Sequence, residues 1–382
     1  MHYFDNAATT FPKPEVVYSA MDSFYRSIGV NVGRGQYQAA SMAFSIVEET
    51  RKMVLDLFHT SYGYSCVFTP SATEALNVIL QGISWHEGMN VYVSPFEHNA
   101  VIRTLNSIVA AYRINVITLY PYDGFAYDLN DITAAFMEKK PDVVVLTHAS
   151  NVFGNILPVE EIFCLAKQYN AVTICDMAQT AGLVDIDIKK AKIDYSVFAG
   201  HKTLYGPFGV AGFVTNKFCE LKPLVYGGTG VNSSDPNMPK EMPTKYEAGS
   251  LNSYAIAGLH ASLKWIRSTG INNIRATEQQ VTKKLLSVLR KHKNIRILRN
   301  SKEAECIGVV SCVFDGYSSD SIGQILSDHG IAVRTGLHCA PLAHKHLKTF
   351  PSGTVRFSVG FFTSEEDLTC LESVLAFIEL NS

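Results

Sequence analysis

An amine and a carboxylate each stand at the end of an apolar segment of this chain. Lys202 follows the run 195–198 (YSVF), whose apolar character is typical of a buried strand. Asp176 ends a second apolar segment, residues 173–176 (TICD). A lysine amine can condense with an aldehyde, and a carboxylate can keep a pyridine nitrogen protonated, so that the ring withdraws electrons from a bound substrate. The pair therefore predicts chemistry of the pyridoxal phosphate (PLP) type.

The surroundings of Lys202 favour a functional role over simple solvation. A surface position is the default for a lysine. Lys202 instead lies between an apolar strand and the turn residues 206–209 (GPFG). His201 directly precedes it, and Gly200 allows the backbone to approach a neighbour closely. We interpret His201 and Lys202 as the anchor of the site.

Residues 71–74 (SATE) follow a short apolar strand and open a helix. The first turn of a helix offers free backbone N–H groups and the positive end of the helix dipole, which suit a phosphate group. Ala72 and Thr73 would provide these contacts, and Thr73 can add a hydroxyl group. The alternative is an ordinary helix cap, because capping sequences of this form are common.

Three more polar side chains follow predicted strands. His98 could stack on a planar cofactor and transfer protons, although a lone histidine is more often structural. Asn151 could donate a hydrogen bond to a carboxylate or a ring oxygen, and Gln179 could donate to a phenolic oxygen. A role in turn formation is the alternative for both amides.

Strands and helices alternate from about residue 50 to residue 215, which predicts a doubly wound α/β domain with ligands at the carboxyl ends of its strands. Residues 226–243 are rich in Gly, Pro, Asn and Ser, which is typical of a surface loop. The rest predicts a smaller α+β domain. Its predicted helices cover residues 276–292, 320–328 and 365–379, and its predicted strands cover residues 308–314 and 354–359.

The composition excludes several classes of protein. The chain has 382 residues, 47% hydrophobic and 18% charged, with a formal net charge of −2, so a large core is expected and bulk electrostatic binding of nucleic acid is not. Residues 1–6 lack a secretion-signal pattern, and no apolar run is long enough to cross a membrane. Eight scattered cysteines without a C-x-x-C pair indicate a reduced, cytoplasmic protein.

Together these segments resemble the PLP-dependent class V aminotransferase superfamily and, within it, the cysteine desulfurases. The resemblance covers nearly the whole chain and includes the opening sequence YFDNAATT at residues 3–10. It implies the type I fold of PLP-dependent transferases. It also implies a role for each site residue: Lys202 binds the cofactor covalently, Asp176 pairs with the ring nitrogen, Gln179 contacts the phenolic oxygen, His98 stacks on the ring, and Thr73 and His201 contact phosphate.

The segment 334–340 (RTGLHCA) selects a branch of this family. It resembles the nucleophile segment of desulfurases with a short catalytic loop, the group similar to selenocysteine lyases. Cys339 would be the nucleophile, with an adjacent histidine or cation favouring its thiolate form. A buried apolar thiol and a metal site are the alternatives. The metal site would use His338, Cys339, His344 and His346, but the spacing does not match a closed zinc site.

The resemblance further implies that Arg356, in the strand 354–358, grips the substrate's α-carboxylate together with Asn151, because a guanidinium fork suits that bidentate task. Ser250, in residues 247–250 (EAGS), would reach across a homodimer interface to the partner's phosphate group. Two features depart from the family pattern. Ala199 replaces a usual hydroxyl residue, and residues 227–243 match no family loop closely.

The expected architecture is a large PLP-binding domain at residues 12–260 and a small domain formed by residues 1–11 and 261–382. The implied reaction converts L-cysteine to L-alanine and leaves the sulfur on Cys339 as a persulfide, for delivery to a sulfur-acceptor protein. Three alternatives stay open: a selenocysteine lyase, another class V reaction such as transamination or epimerisation, and a non-catalytic partner of a sulfur carrier.

Overall fold

A computed structural model describes residues 1–32, 35–60, 62–217, 220–231 and 234–381. Within these ranges the strands are β1 (His2–Tyr3), β2 (Tyr64–Thr69), β3 (Asn90–Val93), β4 (Asn115–Thr118), β5 (Val143–Thr147), β6 (Val172–Asp176), β7 (Tyr195–Ala199), β8 (Ala211–Asn216), β9 (Ile295–Leu298), β10 (Val309–Phe314), β11 (Ile331–Ala332), β12 (Arg334–Gly336) and β13 (Thr354–Ser358). The helices are α1 (Glu15–Ile28), α2 (Gln38–Leu57), α3 (Ala72–Gly82), α4 (Asn99–Tyr112), α5 (Leu129–Glu138), α6 (Val159–Lys167), α7 (Ser253–Thr269), α8 (Ile271–Leu289), α9 (Ser319–Asp328), α10 (Pro341–His346) and α11 (Glu365–Leu380).

The largest sheet has seven strands in the order β2-β8-β7-β6-β5-β3-β4. Of these seven strands, β8 alone runs in the opposite direction, so its pairings with β2 and β7 are antiparallel. All five residues of β5 (VVVLT) are buried, as a parallel strand covered on both faces requires. The alternation of strands and helices predicted from the sequence is confirmed.

Helices cover both faces of this sheet and form two apolar layers. One layer joins the sheet to residues of α2, α5, α6 and α7. The other joins it to residues of α3 and α4. Because the sheet is rigid and buried, the carboxyl ends of β5, β6 and β7 present Thr147, Asp176 and Ala199 along one edge.

The C-terminal part of the chain forms a second, antiparallel sheet in the order β12-β13-β10-β9. Its apolar residues pack with α8, α9 and α11. The predicted helix 276–292 is observed at Ile271–Leu289, because Gly270 takes a left-handed conformation (φ 84°) that ends the preceding helix and starts this one.

The N-terminal residues join this C-terminal part, since β1 pairs in parallel with β11. The strip predicted to belong to the small domain therefore contacts it directly, while the domain boundaries themselves stay a prediction. In the described ranges, no helix is long and apolar enough to cross a membrane. The seven cysteines of those ranges are free thiols, and Cys219 lies outside them.

Candidate active site

Eight of the residues predicted from the sequence line one cavity at the carboxyl ends of β6 and β7 and the N-termini of α3 and α4. They are Ala72, Thr73, His98, Asn151, Asp176, Gln179, His201 and Lys202. The cavity thus brings together side chains that are up to 130 positions apart in the chain (202 − 72). Ala199 also lines the cavity, so this position offers it a methyl group and no hydroxyl group.

Lys202 is positioned by a tight turn that follows β7. The amide of Gly200 donates to the carbonyl of Val210 at 3.1 Å, and a Cβ at Gly200 would lie 2.5 Å from that oxygen. Only glycine fits there without displacing the backbone. The turn therefore delivers His201 and Lys202 into the cavity from a fixed point at the sheet edge.

The N-terminal segment holds the backbone at this anchor. Thr9 Oγ1 and Lys13 Nζ donate to the carbonyl of His201 at 2.9 and 2.6 Å, and Thr10 Oγ1 donates to the carbonyl of Lys202 at 2.8 Å. Burial lowers the pKa of Lys13 to about 7. Burial also lowers the pKa of Lys202 to about 8, which increases the fraction of neutral, nucleophilic amine near neutral pH.

Asp176 is buried at the last position of β6. Its Oδ1 accepts the amide N–H of Ala178 at 3.0 Å. Burial raises the pKa of this carboxyl group, and the nearby charge of Lys202 opposes the rise. A cation placed against Asp176 would offset the cost of burying its charge. A protonated ring nitrogen would be such a cation.

The opposite end of the cavity suits an anion. Ser71 caps α3 by accepting the N–H of Glu74 at 3.1 Å, so Ala72 and Thr73 lie in the first helical turn. His201 stacks on Phe208 with ring centroids 4.6 Å apart, and its Nδ1 is buried without a hydrogen-bond partner. A buried nitrogen without a partner beside a helix N-terminus fits a phosphate group.

His98 caps α4, and this fixes the position of its proton. Its Nδ1 accepts the N–H of Ala100 at 3.0 Å. Nδ1 therefore carries no proton, and a neutral ring holds its proton on Nε2. Burial, with the charge of Lys202 next in importance, lowers the pKa of His98 to about 4, so the ring is neutral at physiological pH.

The two predicted amides already have protein partners. Gln179 Nε2 donates to the carbonyl of Ala7 at 2.9 Å, which leaves its second N–H for other partners. Asn151 Nδ2 donates to the carbonyl of His338 at 2.7 Å. Asn151 therefore connects the cavity to the segment that carries the predicted nucleophile.

Cys339 lies in an unusual turn that two hydrogen bonds hold in place. Both His338 and Cys339 have left-handed backbones, with φ of 47° and 60°. Such conformations are rare for residues other than glycine and persist only when the surroundings enforce them. The amide of Asn99 donates to the carbonyl of Cys339 at 2.7 Å, while Asn151 holds the preceding carbonyl.

The cation beside the thiol is an arginine and not the adjacent histidine. Arg334 Nη2 donates to Cys339 Sγ at 3.3 Å. The His338 ring bonds instead to Thr354 Oγ1 at 3.0 Å, and burial lowers its pKa far below the usual value. Asn99, whose amide holds the Cys339 carbonyl, directly follows the cavity residue His98, so the turn that carries the thiol adjoins the cavity.

Arg334 was part of the quoted sequence segment but received no role from the sequence. Its five-residue separation from Cys339 is closed by the left-handed turn, which sequence spacing does not reveal. Arg334 begins β12 and Cys339 lies three residues beyond the end of that strand, a spacing with no periodic signal, so only the structure identifies this contact.

Arg356 is buried on β13 and is already paired. Its Nη1 donates to the backbone carbonyl of Asn151 at 3.0 Å, and its Nη2 forms an ion pair with Asp5. Its Nε is buried without a partner. Asp5 belongs to the opening sequence YFDNAATT, but no sequence pattern connects it with a residue 351 positions away.

Ser250 does not join the cavity within one chain. It is exposed, accepts a hydrogen bond from Asn31 Nδ2 at 3.2 Å, and lies in a separate surface pocket with Glu74, Leu224 and Val225. The predicted contact of Ser250 with a partner's phosphate group stays a prediction.

The histidines near Cys339 have separate partners. His344 bonds to Thr349 Oγ1 at 2.7 Å, and His346 bonds to the carbonyl of Gly124 at 3.0 Å. Within the part of the chain that the structure describes, no three His, Cys, Asp or Glu side chains converge in a way that could hold a metal ion.

Comparisons with known proteins identify the family of the chain. The family model of class V aminotransferases (Aminotransferase class-V) matches residues 2–371. A probable cysteine desulfurase of Pyrococcus abyssi is 31% identical, over 98% of this chain and 93% of that protein. One of Methanothermobacter thermautotrophicus is 30% identical, over 98% of this chain and 94% of that protein.

Solved structures show the same architecture. The apo cysteine desulfurase of Thermococcus onnurineus superposes with a TM-score of 0.92 at 29% identity and covers 100% of this chain and 95% of that one. The cysteine desulfurase CsdA of Escherichia coli gives a TM-score of 0.86 at 26% identity, over 99% and 94% of the two chains. The resemblance and the fold predicted from the sequence are confirmed.

Proposed function

The chain belongs to the class V aminotransferase family, and we propose that it is a PLP-dependent cysteine desulfurase that converts L-cysteine to L-alanine and retains the sulfur on Cys339. One observation carries the proposal. A cysteine whose sulfur accepts a hydrogen bond from Arg334 Nη2 at 3.3 Å lies in a turn that Asn151 connects to the cavity of Lys202. An aminotransferase needs the lysine but has no use for the thiol.

The residues of the cavity fit PLP by their chemistry. Lys202 would bind the aldehyde carbon, Asp176 would face the ring nitrogen, and Gln179 would offer its second N–H to the phenolic oxygen. Ala72, Thr73 and the unpartnered Nδ1 of His201 would hold the phosphate group. When bound, PLP supplies an electron sink for the substrate's α-carbon.

The substrate's α-carboxylate would bind at Arg356, beside Asn151. Lys202 then moves the α-proton, since its neutral amine is accessible near neutral pH. His98 holds its proton on Nε2, the nitrogen that remains free to interact with the bound molecules. It would transfer a proton during the formation of alanine.

The sulfur transfer needs only the protein and its substrate, without a further oxidant or reductant. The Cys339 thiolate forms a bond to the substrate's sulfur, while the bond between that sulfur and the substrate's β-carbon breaks. The electron pair of the broken bond stays on carbon, which takes up a proton and becomes the methyl group of alanine. Arg334 stabilises the thiolate that begins this step, because a hydrogen bond from a cation favours the charged form.

We further propose a homodimer. The pocket at Ser250 contains the exposed side chains of Leu224 and Val225. Nearby α1 and α7 expose Tyr25 and Tyr254, whose rings are 5.2 Å apart. Exposed apolar surface of this kind is typical of a subunit interface, and it would bring Ser250 to a second active site. Light scattering of the purified protein tests this: a monomer mass would contradict it.

The activity itself is tested by measuring both products from L-cysteine in the presence of a reductant and PLP. We expect yellow protein and equal amounts of alanine and sulfide. Alanine without sulfide release from L-cysteine, or yellow protein without alanine, would contradict the proposal. L-selenocysteine as the substrate separates the lyase alternative, since a lyase would prefer it strongly over L-cysteine.

A further inference from the structure

Asp5 holds the arginine that is proposed to bind the substrate. Arg356 is only 1% exposed, and its Nη2 is paired with the Asp5 carboxylate, whose side chain is 20% exposed. In the described ranges, Asp5 is the one carboxylate that forms an ion pair with Arg356. A buried guanidinium without a counter-ion is costly, so this contact offsets the burial of its charge.

The pair is built into the fold. The backbone of Asp5 bridges to Ser358, two positions beyond Arg356 on β13. The amide of Ser358 donates to the carbonyl of Phe4 at 2.7 Å, and Asn6 Nδ2 donates to the carbonyl of Ser358 at 2.9 Å. These contacts on both sides of Asp5 fix its position beside the guanidinium.

A second arginine lies opposite. Arg334 is the register partner of Arg356 on the neighbouring strand β12, and its charge lowers the pKa of Arg356. Asp5 therefore compensates a site that holds two arginines. The Nε of Arg356 is buried without a partner, so the guanidinium keeps donor capacity for an additional carboxylate.

We infer that Asp5 is an internal counter-ion that orients Arg356 and weakens the binding of the substrate's α-carboxylate, so that this residue sets the affinity for the carboxylate. The inference rests on the proposed role of Arg356. When a substrate binds, two carboxylates share one guanidinium, and their repulsion lowers the affinity. Asp5 is thus a positioning residue that acts through Arg356.

The test uses Asp5→Asn, which removes the charge and keeps an oxygen that can accept the Nη2 hydrogen bond. On the PLP-loaded protein, calorimetry measures the binding of L-alanine and of L-alaninamide, which lacks the carboxylate. We expect the Kd for L-alanine to fall by about three- to tenfold, as the loss of one nearby like charge implies. We expect the Kd for L-alaninamide to stay unchanged. The KM for L-cysteine should fall together with the Kd for L-alanine.

Asp367→Asn is the matched control. Asp367 Oδ1 pairs with His2 Nδ1 at 2.8 Å, so this variant also removes one negative charge from an ion pair of the N-terminal segment. It should leave both Kd values unchanged. If Asp5→Asn does not fold, as judged by circular dichroism, Asp5→Ser provides a second removal of the charge.

Unchanged or weaker L-alanine binding in a folded charge-removing variant would overturn the inference. An equal change for L-alaninamide would also overturn it, because the effect would then not involve the carboxylate. These outcomes differ from failure of the proposed function, in which the wild-type protein forms no alanine from L-cysteine.

Discussion

The two halves of the active site differ in how their polar groups are satisfied. On the seven-stranded sheet, His201 keeps a buried nitrogen without a partner, and the first turn of α3 faces the same cavity. On the four-stranded sheet, Arg356 is paired with Asp5, and Cys339 with Arg334. In the first half a ring nitrogen that suits an anion has no protein partner, whereas in the second the guanidinium of Arg356 is paired with a carboxylate, and only its Nε lacks a partner.

This difference follows from what each half must do. A cofactor that stays bound can satisfy the groups around it permanently, so donors without protein partners carry no lasting cost once it is present. A substrate arrives and leaves in every turnover. Between turnovers a buried cation such as Arg356 needs a counter-ion, because an unpaired buried charge is strongly destabilising. Protein partners therefore stand in for the substrate.

The largest expected effect comes from the half that awaits the cofactor. Lys202→Ala should lose the covalent attachment of PLP, and alanine formation should fall by about 10²–10⁴-fold or more, as expected for the loss of a proton-transfer group. Borohydride reduction followed by peptide mass analysis should find the cofactor on the Lys202 peptide of the wild type alone. The exposed Lys217→Ala is the control. Cofactor attached to a different lysine would contradict the role proposed for Lys202.

Substitution of the proposed nucleophile should affect sulfide formation without affecting cofactor binding. Cys339→Ser should keep the yellow colour, because Lys202 and the cavity are intact, and should lose sulfide formation from L-cysteine. Absorption spectra and sulfide assays measure the two properties. Cys164, an exposed thiol on α6, provides the matched control Cys164→Ser, which should retain both. Normal sulfide release by the Cys339 variant would contradict the assigned role.

A smaller effect is expected at the cation beside the thiol. Arg334→Met removes the charge at similar volume, and Cys339 should then react with iodoacetamide about tenfold more slowly, since a hydrogen bond to a charged group is worth about 1.5–3 kcal/mol. Mass spectrometry compares this rate with that of Cys164 in the same sample. Arg334→Lys should retain part of the reactivity. An unchanged rate for the Met variant would exclude Arg334 as the activating group.

The smallest effect is expected at Ala199, which lines the cavity and carries no hydroxyl group. Ala199→Ser should lower the Kd for PLP by about two- to tenfold, the range of one additional hydrogen bond. Fluorescence titration of cofactor-free protein measures it. An unchanged Kd would show that this position does not contact the phosphate group, and weaker binding would show that the added hydroxyl crowds the cofactor.

Much of the cofactor half could be predicted from the sequence. Lys202, Asp176 and Thr73 each follow an apolar strand, and parallel strands bring their carboxyl ends to one edge of a sheet. The local pattern therefore predicted both the strands and the proximity of the side chains that follow them. Strand β5 was equally clear, because four consecutive apolar residues before Thr147 leave no alternation to interpret.

The substrate half could not be predicted in the same way. The contact of Asp5 with Arg356 joins opposite ends of the chain, and a short β1 strand of two residues carries no periodic signal. The sequence suggested His338 as a neighbour of the thiol, but the left-handed turn directs that ring to Thr354. The backbone conformation determines the direction of the His338 ring, and residue type does not predict that conformation at positions other than glycine.

The most direct test of the account is the mass of the peptide that contains Cys339 after the PLP-loaded protein meets L-cysteine without a reductant. The account predicts that this peptide gains the mass of one sulfur atom, that one alanine forms for each modified site, and that the Cys164 and Cys370 peptides stay unmodified. Alanine formation with an unmodified Cys339, or the added sulfur on another cysteine, would contradict it.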